Sequence, residues 1–404
     1  MGSQPRRIAP VGVSAWTVSC AAGLGRTSLQ RTIADQRSAL RPNDDPALPL
    51  ACWVGRIDAL DNAALPPAFA GWDCRATRLA WFALHADDFA GRVAEARERL
   101  GASRIGLVVG TSASTIGASE QAYQQLDAEG RFPATLRSER LNTPHALAAF
   151  VQQVLRLEGP CITVSTACSS SAKAFASAER WLRAGWVDAV VVGGIDALCA
   201  SLLFGFRSLG LVASDPCRPF DAARGGISIG EAAGFALLER APAALQLLGY
   251  GESNDAFHMS SPHPQGLGAE AALDDALARA DLGAAAIDFL NLHGTASARN
   301  DEVEAALVGR RYAAGVHACA TKGLTGHAMG AAGIVEAAVC WLALEQGLLA
   351  GSAHTRAADP QFGDRFAGQL QLQPTRREVR YAASHSFGFG GNNAVLLFGH
   401  GPPA

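Results

Sequence analysis

The chain has 404 residues, 49% of them hydrophobic and 18% charged, with a formal net charge of −3. That balance excludes a disordered tail and a nucleic-acid coat, since it supplies apolar surface for a large core and no global basic field. Nine cysteines at irregular spacings form no C-x-x-C pair and no zinc-type pattern with histidine, which argues against a disulfide framework and for a reducing, cytoplasmic setting. Pro10, Gly12 and Ser14 interrupt the apolar run after Arg6 and Arg7, so a first buried strand is expected there rather than a signal peptide. The most apolar stretch, 333–350, carries Glu336 and Glu345, so no membrane span is expected.

In chain order, residues 8–19 read as a strand and 25–39 as a helix. Residues 40–73 hold Pro42, Pro46, Pro49, Pro66 and Pro67 and read as irregular surface structure. Apolar residues at Leu79, Phe82, Ala83, Phe89 and Val93 predict one helix from Ala76 to Leu100, ended by Gly101. Ile105 to Val109 predict a buried strand opening into the small-residue loop Thr111-Ser112-Ala113-Ser114, with helices at 117–128 and 144–157.

Strand 161–165, helix 169–184 and strand 188–194 form a βαβ unit whose middle strands read as buried on both faces. The second half repeats this grammar. Strand 288–292 runs into His293-Gly294-Thr295-Ala296-Ser297, and the helix from Gly330 to Gln346 carries Trp341-Leu342 as the earlier helix carries Trp181-Leu182. Two similar α/β halves packed face to face are expected. The chain closes as strand 379–384, a loop at 386–393 and strand 394–398.

Cys168 sits where a β-branched strand gives way to an alanine-rich helix. A thiol at a helix N-terminus meets unpaired N–H groups and the positive end of the macrodipole, so its pKa is expected to fall. His293 and His327 both stand where ordered structure gives out into glycine, a common place for functional side chains.

Taken together, Thr166-Ala167-Cys168-Ser169-Ser170, His293-Gly294-Thr295-Ala296-Ser297, Lys322 with His327 and Gly330-Ala331-Ala332-Gly333, and Ser386-Phe387-Gly388-Phe389-Gly390-Gly391-Asn392-Asn393 closely resemble the elongating β-ketoacyl-acyl-carrier-protein synthases, condensing enzymes of the thiolase superfamily. The resemblance implies a thiolase-like α/β fold in five layers, α-β-α-β-α, with an N-terminal half (1–250) carrying the cysteine and a C-terminal half (251–404) carrying both histidines. It implies that Cys168 holds an acyl thioester, that His293 and His327 stabilise the enolate formed when malonyl-carrier loses CO₂, and that the N–H groups of Cys168 and Phe389 form a second oxyanion hole.

Lys322 is implied to tune the histidines with Glu336 as partner, while Asp301 and Glu304 support the His293 loop. Thr295 and Ser297 match positions that bind pantetheine, Phe389 flanked by Gly388 and Gly390 matches a gate, and Ile227 lies on the pocket wall. Arg207 matches a carrier-protein contact; Arg75, Arg78, Arg137 and Arg140 are candidates from charge alone. No bound cofactor or metal is expected, because the substrates ride on the phosphopantetheine of an acyl carrier protein. The partners implied are that carrier and a second thiolase-fold chain, either a copy of this one or a chain-length-factor-like subunit; neither nucleic acid nor membrane is expected.

Three departures stand out. Arg224-Gly225-Gly226-Ile227 replaces the usual Arg-Asp-Gly-Phe, His385 replaces asparagine and Asn392 replaces threonine. They leave open whether the chain serves fatty-acid-type elongation or a dedicated polyketide or aryl-polyene pathway. A non-catalytic chain-length factor is disfavoured by the presence of Cys168 and both histidines, and a cysteine hydrolase by the second histidine with Lys322. A degradative thiolase is disfavoured by the lack of any cysteine after Cys340, and an initiating synthase by His327 itself.

Overall fold

A computed structural model describes residues 7–132 and 140–401. Ten strands make the main sheet: β1 (Val11–Cys20), β2 (Ile105–Gly110), β3 (Cys161–Val164), β4 (Ala189–Asp196), β5 (Ala232–Glu239), β6 (Leu245–Asn254), β7 (Phe289–Asn291), β8 (His317–Cys319), β9 (Tyr381–Gly388) and β10 (Asn392–His400). The spatial order is β8-β7-β9-β10-β6-β1-β5-β4-β2-β3. Each half therefore uses its five strands in the same order, 3-2-4-5-1. The senses also match: β2 is parallel to β3 and β4, β7 is parallel to β8 and β9, and the remaining pairs are antiparallel. The halves join edge to edge through one short antiparallel stretch, Val11–Val13 of β1 against Leu245–Leu247 of β6.

The helices that layer on this frame are α1 (Arg75–His85), α2 (Phe89–Leu100), α3 (Ala146–Leu155), α4 (Ser170–Arg183), α5 (Leu267–Ala280), α6 (Ala298–Arg311), α7 (Ala332–Gln346) and α8 (Gly363–Gln369). α1, α2 and α3 cover the outer face of the first half-sheet; α5, α6 and α8 belong to the outer face of the second. α4 and α7 lie between the half-sheets, which completes the five thiolase-like layers.

Every residue of α7 from Ala332 to Leu344 is buried, as an all-round apolar helix requires. Met329–Gln346 is the one stretch among the described residues long and apolar enough to cross a membrane, and 89% of it is buried inside the molecule. Trp341 of α7 meets Trp16 of β1 at 5.3 Å, Phe175 of α4 at 6.1 Å and Phe398 of β10 at 5.5 Å, so one side chain ties both halves together.

Several boundaries differ from the sequence expectation. The helix expected over 76–100 is two helices, because Asp87 and Asp88 adopt φ of 55° and 57°. The Asp87 carboxylate there accepts the Arg26 N–H at 2.9 Å and the Thr17 hydroxyl at 2.8 Å, contacts that a continuous helix would not present. β3 lies at a sheet edge and is only partly buried, since β2 intervenes between it and β4. The stretch 386–393 is mostly strand: β9 runs to Gly388, β10 starts at Asn392, and only Phe389–Gly391 turn. The irregular region 40–73 contains short strands at Arg41–Pro42 and Trp53–Gly55.

Candidate active site

The strand ends bring the predicted residues together. Cys168 follows β3 and precedes α4, His293 follows β7, and Lys322 and His327 lie between β8 and α7. The cysteine and the Lys322–His327 segment thus occupy equivalent places in the two halves, each between a third strand and a middle-layer helix. Ala167, immediately before the nucleophile candidate, has φ 53°, a strained value for a side-chain-bearing residue.

Cys168 and both histidines are buried. The Nε2 of His327 lies 3.0 Å from Cys168 Sγ, and the two imidazole rings stand 5.4 Å apart at 85°. Burial, with Lys322 close by, holds both histidines well below their usual pKa, so they are neutral. Lys322 Nζ donates to the His293 carbonyl at 2.5 Å, faces His293 Nδ1 at 3.4 Å, and pairs with Glu336 on α7. An amine facing Nδ1 makes that atom the acceptor and leaves the ring proton on Nε2, the form that can donate to a developing oxyanion. Burial lifts Glu336 to about 7 against the pull of Lys322.

The thiol does not behave as a helix N-terminus alone would dictate. Burial pushes Cys168 up to about 12, with Lys322 and the Phe389 N–H pulling it back. The resting group is the thiol, and the adjacent neutral imidazole of His327 is placed to take its proton.

Phe389 partitions two cavities. One, of about 280 Å³, is lined by both histidines, Thr295, Ser297, Ile227 and Leu209. The other, of about 260 Å³, is lined by Ser112, Ser165, Leu202 and Met329. Cys168, Phe206 and Phe389 are walls of both, and the Phe206 and Phe389 rings pack at 5.5 Å and 32°. Thr295 and Ser297 share a 2.8 Å hydroxyl contact. Gly388 is required by close approach: a Cβ there would lie 2.9 Å from the Thr166 carbonyl and 3.1 Å from the Cys168 nitrogen. Gly390, at φ +73°, donates its N–H to the Met259 carbonyl at 2.7 Å.

Glu304 accepts the N–H groups of His293 and Gly294, each at 2.8 Å. Asp301 accepts neither of these N–H groups. Its carboxylate accepts the Phe220 N–H at 2.7 Å and the Asn300 amide at 3.2 Å, and burial raises it to about 7, so it bears on the loop indirectly, through Phe220, whose ring abuts Gly294, and through Asn300, whose amide also reaches Glu304 at 3.4 Å. Arg207 is exposed at the end of helix Ala200–Ser208, beside Phe206 and Leu209 of the cavity wall. Arg75 and Arg78 are instead committed to Glu231 with Asp61 and to Asp73, in a separate polar cavity. Arg140 packs over the Trp72 ring at 5.6 Å, and Arg137 lies outside the described residues.

Residues unmarked in the sequence reading also shape the site. Asp196, fully buried, accepts from Thr111, Ser112, Ala113 and the Gly330 N–H, clamping the segment after His327 to the first half. An acid inside the run Gly193-Gly194-Ile195-Asp196-Ala197-Leu198 was the signal available; Phe206 offered none. The ligand atoms of Cys168, His293 and His327 lie within 4.8 Å of one another, a spacing on which a soft divalent ion could close.

A thiol, two neutral imidazoles and a buried amine–carboxylate pair at the junction of duplicated thiolase-like halves define a condensing acyltransferase. Models of the beta-ketoacyl synthase N-terminal and C-terminal domains match residues 7–244 and 245–356, and the chain belongs to the β-ketoacyl synthase family. It is 36% identical over 311 residues to nodulation protein E of Rhizobium meliloti (strain 1021), covering 74% of this chain and 76% of that one. It is 36% identical over 261 residues to 3-oxoacyl-[acyl-carrier-protein] synthase 2 of the same organism, 60% of this chain and 61% of the relative. Among solved structures, the ketosynthase ApeO in complex with its chain length factor ApeC from Xenorhabdus doucetiae is 35% identical with a TM-score of 0.88, covering 99% of this chain and 100% of that chain.

Proposed function

We propose that the chain is a β-ketoacyl-acyl-carrier-protein synthase that condenses an acyl group held on Cys168 with malonyl-carrier. The observation that carries this reading is the 3.0 Å contact between Cys168 Sγ and His327 Nε2, with a second neutral histidine in the same buried cavity. Cys168 attacks the incoming thioester, its proton passes to His327 and stays there, and the carrier thiolate leaves, taking a proton from solvent. Malonyl-carrier then binds, its C–CO₂ bond breaks, and the electron pair forms an enolate whose oxygen takes N–H donation from His293 and His327. The enolate carbon bonds to the acyl carbonyl carbon, the C–S bond to Cys168 breaks, and the thiolate recovers its proton from His327.

In this reading Lys322 and Glu336 fix the His293 tautomer, Glu304 holds its backbone, and Asp301 braces Phe220 behind it. Phe389, freed by Gly388 and Gly390, gates the passage between the two cavities. Thr295 and Ser297 bind the pantetheine arm, Ile227 shapes the acyl wall, and Arg207 meets an acidic carrier protein. The reaction needs no resident metal or cofactor. The two halves, divided at the start of β6 because the expected 250/251 boundary falls inside that strand, act as one cytoplasmic enzyme, which pairs through edge strand β3 with a second thiolase-fold chain.

A second reading concerns that partner and the pathway. The 35% identical ketosynthase ApeO was solved with its chain length factor, and a 28% identical structure is titled the ishigamide ketosynthase/chain length factor. These favour a heterodimer serving a dedicated polyketide-type pathway over a homodimer in fatty-acid elongation. The test is intact-protein mass after incubation with a panel of acyl-carrier proteins, then malonyl-carrier. An acyl adduct that is discharged as a β-ketoacyl product and is absent in Cys168→Ala supports the synthase. No adduct with any chain, or one surviving Cys168→Ala, sinks it. The panel also reports chain length, and sedimentation with and without a candidate partner separates the two assemblies.

A further inference from the structure

We propose that Tyr312, His385 and Glu304 form a buried positioning relay that sets His293 for the malonyl half-reaction; the inference rests on the condensing reading above. The Tyr312 hydroxyl lies 2.8 Å from His385 Nε2, and His385 Nδ1 lies 3.1 Å from Glu304 Oε1. All three side chains are sealed from solvent. A carboxylate already accepting two backbone N–H groups takes a third donor from the ring, so Nδ1 carries the proton and Nε2 accepts from Tyr312. One rigid ring with a donor on one edge and an acceptor on the other links a phenol to an acid without leaving a polar atom unpaired.

The far end of the relay is the backbone of the His293 loop. Glu304 Oε1 accepts the His293 N–H and Oε2 the Gly294 N–H. That loop needs holding: Ala296 has φ 64°, a value that persists in a residue with a side chain only where the surroundings over-determine it, and Gly294 turns the backbone at φ +39°. A Cβ at Gly294 would lie 2.4 Å from the Ala320 Cβ, so the loop has little room to relax. A second path runs through the rings. His385 packs on Phe387 at 5.2 Å, and Phe387 packs on the His293 ring at 5.9 Å. Both paths end on His293. His327 is held separately, by the Ser228 carbonyl and the Gly230 N–H.

This separation gives the relay a signature that loss of fold would not mimic. The full chain is assayed as wild type, His385→Asn, Tyr312→Phe and the double variant, in two half-reactions: acyl transfer to Cys168 by intact mass, and CO₂ release from malonyl-carrier. CO₂ release is expected to fall about tenfold in His385→Asn and about threefold in Tyr312→Phe, with acyl transfer kept within about twofold, because a small misplacement of a catalytic group is costly only to the step that uses it. The double variant is expected to be no worse than His385→Asn, as members of one chain are non-additive. Tyr312→Phe removes one hydroxyl and keeps the test open should His385→Asn fold poorly. Unchanged CO₂ release in both variants, or parallel losses in both half-reactions with a lowered Tm, overturns the relay while leaving the synthase reading intact. A wild type that neither takes up acyl groups nor releases CO₂ overturns both.

Discussion

His327 Nε2 and Cys168 Sγ meet at 3.0 Å across 159 residues of sequence, the base from one half of the molecule and the thiol from the other. Because burial holds the thiol high and the imidazole low, the pair rests uncharged rather than as thiolate and imidazolium. Alkylation of Cys168 by iodoacetamide, corrected with Cys168→Ala, is therefore expected to quicken steadily from pH 6 to pH 9.5, since only the thiolate reacts and a pKa near 12 lies above that range. A plateau near pH 7 would instead reveal a preformed ion pair. Replacing His327 with Ala is expected to slow acyl transfer by about 10²-fold, the range for a lost proton acceptor.

Gly388→Ala tests the close approach beside the nucleophile. Its Cβ would press on the Thr166 carbonyl and on the nitrogens of Cys168 and Ser169. Acyl transfer is expected to drop by roughly 10²-fold through displaced oxyanion donors, with the Tm changed by only a few degrees. Full activity in this variant would remove the Phe389 and Cys168 N–H groups from the mechanism.

The Lys322–Glu336 pair has side chains only 3% and 2% exposed. Lys322→Met strands a buried carboxylate and is expected to cost about 3–5 kcal/mol in urea denaturation at pH 8. Lys322→Met/Glu336→Leu is expected to recover most of that stability, although not activity. The single variant's deficit shrinks toward pH 6, as the unpaired carboxyl takes up a proton. Equal stability of single and double variants would contradict the pairing.

His317 isolates a pH effect on stability from catalysis. Burial lowers it to about 4, and its Nε2 donates to the Ala350 carbonyl at 2.7 Å. Between the unfolded value of 6.5 and about 4, the unfolded chain binds a proton that the folded chain refuses, so stability falls with pH through that window. The loss attributable to this residue is about 3 kcal/mol at its lower end. His317→Gln is expected to flatten the fall in Tm between pH 6.5 and 4.5; an unchanged slope would exclude His317 as its source.

What could be read from sequence divides on physical lines. Cys168, His293 and His327 stood beside glycine or small residues at the ends of apolar runs, a local pattern, but it was the resemblance of four ordered motifs to the condensing enzymes that singled them out. The duplicated strand order was visible only as two echoing segments, since the seam at Val11–Val13 pairs residues more than two hundred positions apart and β6 pairs with β10, which lies far along the chain from it. Asp196, Phe206 and the partners of His385 left little local trace, because their meaning lies in what distant segments bring to them. The fall expected for the Cys168 pKa failed for a related reason: a helix terminus is a local feature, whereas the burial that outweighs it is made by the whole fold. Arg75 and Arg78 looked like free cations until the fold supplied Glu231, Asp61 and Asp73 as partners.

The two-sided burial of the middle layer has a consequence for how the chain is made. α4 packs against β6 and β10 as well as β2 and β4, and Trp341 of α7 closes the space between Trp16 and Phe398. During synthesis the strands through β5 leave the ribosome with one face of α4 uncovered, and that face is covered only as β6, α7 and β10 of the second half are added. The second half thus seals the first, and a nascent chain stalled between them would present an apolar surface to chaperones.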